Sequence, residues 1–96
     1  MAEFRLSPKA QGDLDQIFDY TVARWGLAQA LHYLDHLEDA CAILAASPNQ
    51  AQNCDDISAG YRRRGVERHV IYFREADYGI AVVRILHQRM NAIRHL

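Results

Sequence analysis

The chain has 96 residues, 50% of them hydrophobic and 24% charged, with a formal net charge of −1. That composition describes one globular domain over 1–96, too small for two cores and too apolar for disorder. No apolar run approaches the roughly 20 residues that cross a bilayer, and the N-terminus lacks a charged-then-apolar signal pattern, so a cytoplasmic protein is expected. Two thiols, Cys41 in a helix-patterned stretch and Cys54 in a polar one, make no disulfide framework and are expected to be reduced.

The small net charge conceals a segregation. Residues 1–57 carry three cations and nine acids, a net of −6, whereas residues 58–96 carry eight arginines and three acids, a net of +5. Such a split predicts a basic face on an otherwise acidic molecule. Nucleic acid and an acidic protein segment suit it equally, and pairing of the arginines with helix carboxylates is the plain structural alternative.

In chain order, residues 2–6 alternate as a short strand, with Phe4 and Leu6 on one side. Ser7 and Pro8 mark a helix start, a hydroxyl at the N-cap and proline at the first helical position. Ala10, Leu14, Ile17, Phe18, Thr21 and Trp25 then recur at helical spacing. Gly26 interrupts the pattern, and Leu27, Leu31, Leu34, Leu37, Cys41 and Leu44 form the stripe of a second helix. So short a link folds the two helices into an antiparallel hairpin, which ends near Ser47 and Pro48.

Residues 49–59 are polar and aperiodic and predict a connecting loop. Residues 60–64 form a short presumed strand and 66–74 a clear one, rich in Val, Ile, Tyr and Phe. Residues 75–79 supply turn chemistry before a final strand over 80–87, apolar enough to lie inside the sheet. The predicted class is α+β: an N-terminal strand, a helical hairpin and a small, twisted, mostly antiparallel sheet, in the order β-α-α-β-β-β.

The residues name no reaction. His32 and His36 lie on one helix face, but two ligands fall short of a zinc site, and Asp35 and Asp39 beside them make that face a solvated one. His69 and His95 have no evident companions. His87, closing the last strand, could serve as a general acid or base toward a phosphodiester; a strand-end side chain bonded to nearby backbone is the plainer reading. Arg62 and Arg64 alternate onto one side of their strand, where Arg68 or Arg84 can join them according to register. The strip lacks the aromatic interleaving of single-strand binders. No phosphate loop, nucleophile elbow or cofactor motif is present.

The full length, roughly 3–96, nevertheless resembles the ParE branch of the RelE/ParE toxin superfamily. The resemblance rests on the run Leu6 to Ala10, on Asp13 and Leu14, on Ile17 and Tyr20, on Trp25 and Gly26, and on Ser47 and Pro48. Gly60 to Arg62, Val70 to Arg74, Val82 to His87 and the ending Gln88, Arg89, Met90, Asn91 complete it. It implies a bacterial, plasmid- or chromosome-encoded toxin that inhibits DNA gyrase, with no catalysis, metal or cofactor of its own. It also implies a ParD-type antitoxin whose C-terminal segment orders along the toxin. Arg62, Arg64, Arg74 and Arg84 are then candidates for antitoxin carboxylates. The C-terminal segment that the family associates with toxicity carries over to His87, Gln88, Arg89, Met90, Asn91, Arg94, His95 and Leu96. The sister branch, ribosome-dependent messenger-RNA endonucleases of RelE type, is the alternative: Arg62, Arg84 and His87 imitate part of such a site. Lys9 is the only lysine, however, and no tyrosine follows His87. A plain interaction module that has lost its toxicity is a third reading.

Overall fold

The computed structural model describes residues 2–96. Strand β1 (Glu3–Leu6) leads into helices α1 (Pro8–Trp25) and α2 (Leu27–Ala46); a 3-10 turn (Pro48–Gln50) and a two-residue strand β2 (Gln52–Asn53) follow. Strands β3 (Tyr61–Val66), β4 (His69–Ala76) and β5 (Gly79–His87) and a one-turn helix α3 (Ala92–His95) complete the chain. The sheet runs β1-β5-β4-β3-β2, with β1 parallel to β5 and the remaining pairs antiparallel. The α+β class and the hairpin are as the sequence predicts.

Ser7 acts twice. Its Oγ accepts the Ala10 N–H at 3.0 Å as the α1 cap, and the same hydroxyl donates to the Val83 carbonyl at 2.7 Å. The helix start is thereby fastened to β5. Gly26, at φ 93°, ends α1 and begins α2 in a left-handed conformation that a β-carbon disfavours. Gly79 is required more strictly: at φ 140°, a β-carbon there would collide with the Glu3 carbonyl of the parallel neighbour.

Side chains alternate through the sheet and bury both faces of its middle. Ile71, Phe73, Ile80, Val82 and Ile85 meet Leu14, Leu37, Cys41 and Leu44 of the hairpin. On the far face Tyr72 and Leu86 pack with Cys54 and Ala92, and Leu96 adds to them. Residue Val83 is an extra residue in β5: Phe73 pairs with Val82, but Tyr72 pairs with Arg84. Among the described residues no strand pairs with the outer side of β5 beyond Val82, because β1 stops at Leu6.

Several expectations are corrected. The 49–59 stretch is organised, holding the 3-10 turn, β2 and the buried Ala51 and Cys54. Asn53 Oδ1 accepts the Asp55 N–H, and Asp55 Oδ1 accepts the Gly60 N–H, both at 2.7 Å; polar side chains replace regular backbone pairing there. Val66 ends β3 rather than starting β4, and the turn sits at Glu67 and Arg68, with Glu67 at φ 53°. Strand β4 reaches Ala76, so the next turn shrinks to Asp77 and Tyr78. Finally, Trp25 (56% exposed) and Leu27 and Leu31 belong to an apolar hairpin tip that the core does not cover. Among the described residues no helix is long and apolar enough to cross a membrane.

Candidate functional site

An open groove of about 940 Å³ runs between the hairpin and the free side of β5. Ile17, Tyr20, Thr21 and Trp25 of α1 form one wall, and Ile85, His87 and Met90 the other; Tyr33, Arg68 and His69 close one end. The wall exists because the apolar stripe of α1 outlasts the sheet beneath it. Tyr20 (58% exposed) and Trp25 stay largely open to solvent, with the Arg24 guanidinium 5.8 and 5.9 Å from their ring centroids.

Asp13 and Arg84 hold the groove's other end. The Asp13 carboxylate accepts from Arg84 Nε and NH2, each at 2.7 Å, and from the Ile85 backbone N–H at 3.0 Å. It takes the place of a neighbouring strand at the open edge. Arg84 NH1 donates to the His95 carbonyl at 2.9 Å, so one guanidinium joins α1, β5 and α3. Burial disfavours the charge, but the Asp13 hydrogen bonds outweigh it and raise the already high Arg84 pKa.

His69 has the companions that its sequence position hides. It pairs across the ladder with His87, ring centroids 5.4 Å apart and edge-on, and its Nδ1 lies 2.6 Å from the Tyr33 hydroxyl. That hydroxyl also donates to the Val66 carbonyl at 3.3 Å. Burial, then the neighbouring His87 and Arg68, lower the His69 pKa to about 4, so it is neutral at pH 7. Burial also raises the Tyr33 pKa. His87 Nδ1 accepts the Arg89 N–H at 3.2 Å, the backbone-bonded role expected of it. His32 and His36 are solvent-facing, His36 lying 3.6 Å from Glu67. Among the described residues no three His, Cys, Asp or Glu side chains group as metal ligands. Both cysteines are free and buried, and burial raises their pKa values, Cys41 to about 12.

The four candidate arginines do not share a surface. Arg62 and Arg64 pair with Phe73 and Ile71 and so stand on the hairpin side of the sheet edge. They donate to the Ala51 carbonyl at 3.0 Å and the Gln50 carbonyl at 3.4 Å. Arg74 pairs with Tyr61 and faces the opposite way, exposed. Arg84, its side chain 14% exposed and bound to Asp13, is a structural cation rather than an open one.

The C-terminal candidates form a folded layer, not a free tail. Asn91 caps α3 by accepting the Ile93 N–H at 3.0 Å, while Ala92 and Leu96 pack beneath it. Gln88, Arg89, Met90, Asn91 and Arg94 stay exposed; His87, His95 and Leu96 are half-buried. Sequence reasoning missed Ile93, which is 70% exposed at the middle of this layer. The hydrophobic residue inside a polar ending was its only signal.

Residues 4–92 match the family described as ParE toxin of type II toxin-antitoxin system, parDE. The chain is 43% identical over 96 residues to Toxin ParE1 of Mycobacterium tuberculosis, covering 99% of this chain and 98% of that one. Toxin ParE1 of Caulobacter vibrioides is 38% identical over 96 residues, covering 100% and 99%. A chain from the solved chromosomal ParDE TA system of P. aeruginosa superposes with a TM-score of 0.77 at 26% identity, over 91% of this chain and 96% of that one.

Proposed function

This chain belongs to the ParE toxin family of type II toxin–antitoxin systems, and from that premise we propose that it inhibits DNA gyrase and blocks replication until a ParD-type antitoxin covers it. The observation that carries the reading is the uncovered groove beside β5. An amphipathic segment of an antitoxin would lay its apolar residues against Ile17, Tyr20 and Trp25, the helix-in-groove mode of recognition. Its carboxylates would meet Arg62 and Arg64 at one sheet edge and Arg74 on the other face, by wrapping around the sheet. Arg84 contributes by holding α1 and α3 in place.

The toxin acts by binding rather than by a reaction of its own, in the cytoplasm where gyrase works. Target contact falls to the exposed part of the C-terminal layer: Gln88, Arg89, Met90, Asn91 and Arg94, with Ile93 at its centre. His87, His95 and Leu96 support that surface from below. Exposed apolar residues ringed by polar ones are the composition of a protein-binding patch.

Pulse-labelling after induction of the chain in bacteria, without an antitoxin, tests the reading. Thymidine incorporation is expected to fail first, with induction of the DNA-damage response. Amino-acid incorporation failing first would instead support the RelE-type endonuclease reading and move attention to Arg62, Arg84 and His87.

A further inference from the structure

The sheet face turned away from the hairpin is only half covered. Helix α3 and Cys54 lie over Tyr72 and Leu86, but the corner where β2, β3 and β4 meet stays open as a pocket of about 350 Å³. Gln52, Arg63, Gly65, Tyr72 and Gln88 line it, and Arg64 stands at its rim. Register explains the convergence. Gln52 pairs with Arg63, Arg63 with Tyr72 and Gly65 with Val70, and residues paired across a ladder point to the same face. Gln88 extends β5 beside them, its N–H donating to the Arg68 carbonyl at 2.8 Å.

The chemistry of this lining is one-sided. It offers the Arg63 guanidinium, two amides and the Tyr72 phenol beside Val70, and no carboxylate, while the Arg64 guanidinium turns to the other face and donates to the Gln50 carbonyl. The ion pairs among the described residues are Arg5 with Glu3, His36 with Glu67 and Arg84 with Asp13, so none neutralises Arg63 or Arg64. The nearby Asp55 is occupied by Asn53 and the Gly60 N–H. Uncompensated guanidinium in a recess, flanked by neutral donors, selects an anion with several acceptor oxygens, and its planar fork matches phosphate.

We propose that this corner of the sheet is a phosphate-binding site anchored by Arg63, taking either a backbone phosphate of nucleic acid or free phosphate. The site lies on the opposite face from the groove and stands whatever the toxin's target is.

Two substitutions probe it. Arg63→Gln removes the anchor. Gly65→Glu adds a carboxylate without loss of a native contact, because a β-carbon at Gly65 meets nothing within 4 Å. Lys9→Gln, exposed on α1, is the control for a lost charge elsewhere. Nuclear magnetic resonance of the full chain would follow titration with sodium phosphate against sodium chloride at matched ionic strength, then with a short single-stranded deoxyoligonucleotide. Saturable shifts at the Arg63 side chain and the Gln52 and Gln88 amides are expected. Affinity should fall about tenfold or more in Arg63→Gln and in Gly65→Glu, the effect of losing one charged hydrogen bond, and stay unchanged in Lys9→Gln. An oligonucleotide that binds more tightly than phosphate and weakens with salt identifies the backbone as source; equal affinities identify free phosphate. Shifts that do not saturate, or equal losses in all three variants, would overturn the site. If Arg63→Gln does not fold, Gly65→Glu alone decides.

Discussion

Asp13 and Arg84, 71 residues apart in the chain, close the open edge of the sheet by a two-point contact of carboxylate and guanidinium, each at 2.7 Å. The same carboxylate takes the Ile85 N–H, and the same guanidinium takes the His95 carbonyl. Helix layer, strand edge and C-terminal layer therefore depend on one pair.

Removing one partner should show this. Asp13→Ala leaves a largely buried guanidinium without its counter-charge and the Ile85 N–H without an acceptor. We expect a loss of about 3 kcal/mol in urea unfolding, the lower end for breaking a buried pair because both side chains keep some exposure. Asp13→Asn, which retains an acceptor, should lose less. An Asp13→Ala variant within about 0.5 kcal/mol of the parent would show that the edge is held by other means.

The C-terminal layer needs a finer test than truncation. Deleting 90–96 would uncover Leu86, Tyr72 and Cys54 and strip Arg84 of its His95 carbonyl, so loss of toxicity would report misfolding as readily as a lost surface. Ile93→Asp touches only an exposed side chain and should change stability by no more than about 0.5 kcal/mol. Toxicity on induction should nevertheless fall sharply. A folded Ile93→Asp protein with full toxicity would remove this layer from the target surface.

At the hairpin tip, Trp25→Ala should leave the melting temperature nearly unchanged, since the indole is mostly solvent-facing. Antitoxin affinity measured by calorimetry should drop by about 2 kcal/mol, as for an aromatic anchor. Unchanged affinity would place the antitoxin elsewhere than in the groove.

The His69 environment predicts an acid-side loss of stability. Its folded pKa, about 4, lies below the ordinary value of 6.5, so protons bind the unfolded chain more readily. Its stabilising contribution is complete above pH 6.5 and disappears as pH falls through about 4, with a slope of at most about 1.4 kcal/mol per pH unit. His69→Gln keeps a hydrogen-bonding partner for the Tyr33 hydroxyl, since its amide both donates and accepts, and removes the titration. Its unfolding free energy should vary less with pH across that window. An identical slope in parent and variant would contradict the account.

Local chemistry made much of this fold legible. Ser7 and Pro8 start α1, Gly26 splits the helices, and the continuous apolar run of the last strand correctly places β5 inside the sheet. What escaped depends on one-residue shifts and on polar side chains doing backbone work. Glu67 makes its turn at positive φ without glycine, which displaced Val66 into the wrong strand. The extra residue Val83 brings His87, rather than Leu86, opposite His69, so the histidine pair could not be read from spacing alone. Arginines counted as a basic face proved divided by strand parity, and Arg84 was already neutralised by an acid from the other half of the chain. Cys54 appeared polar by its neighbours although its own side chain lies in the far-face core.

The most direct test of the central claim uses purified gyrase, relaxed plasmid and the purified chain, with ATP-dependent supercoiling and DNA cleavage read on a gel. Supercoiling should stop as toxin is added, and a ParD-type antitoxin should restore it. Gyrase that supercoils normally at large toxin excess, with a toxin still lethal on induction, would contradict gyrase as the target.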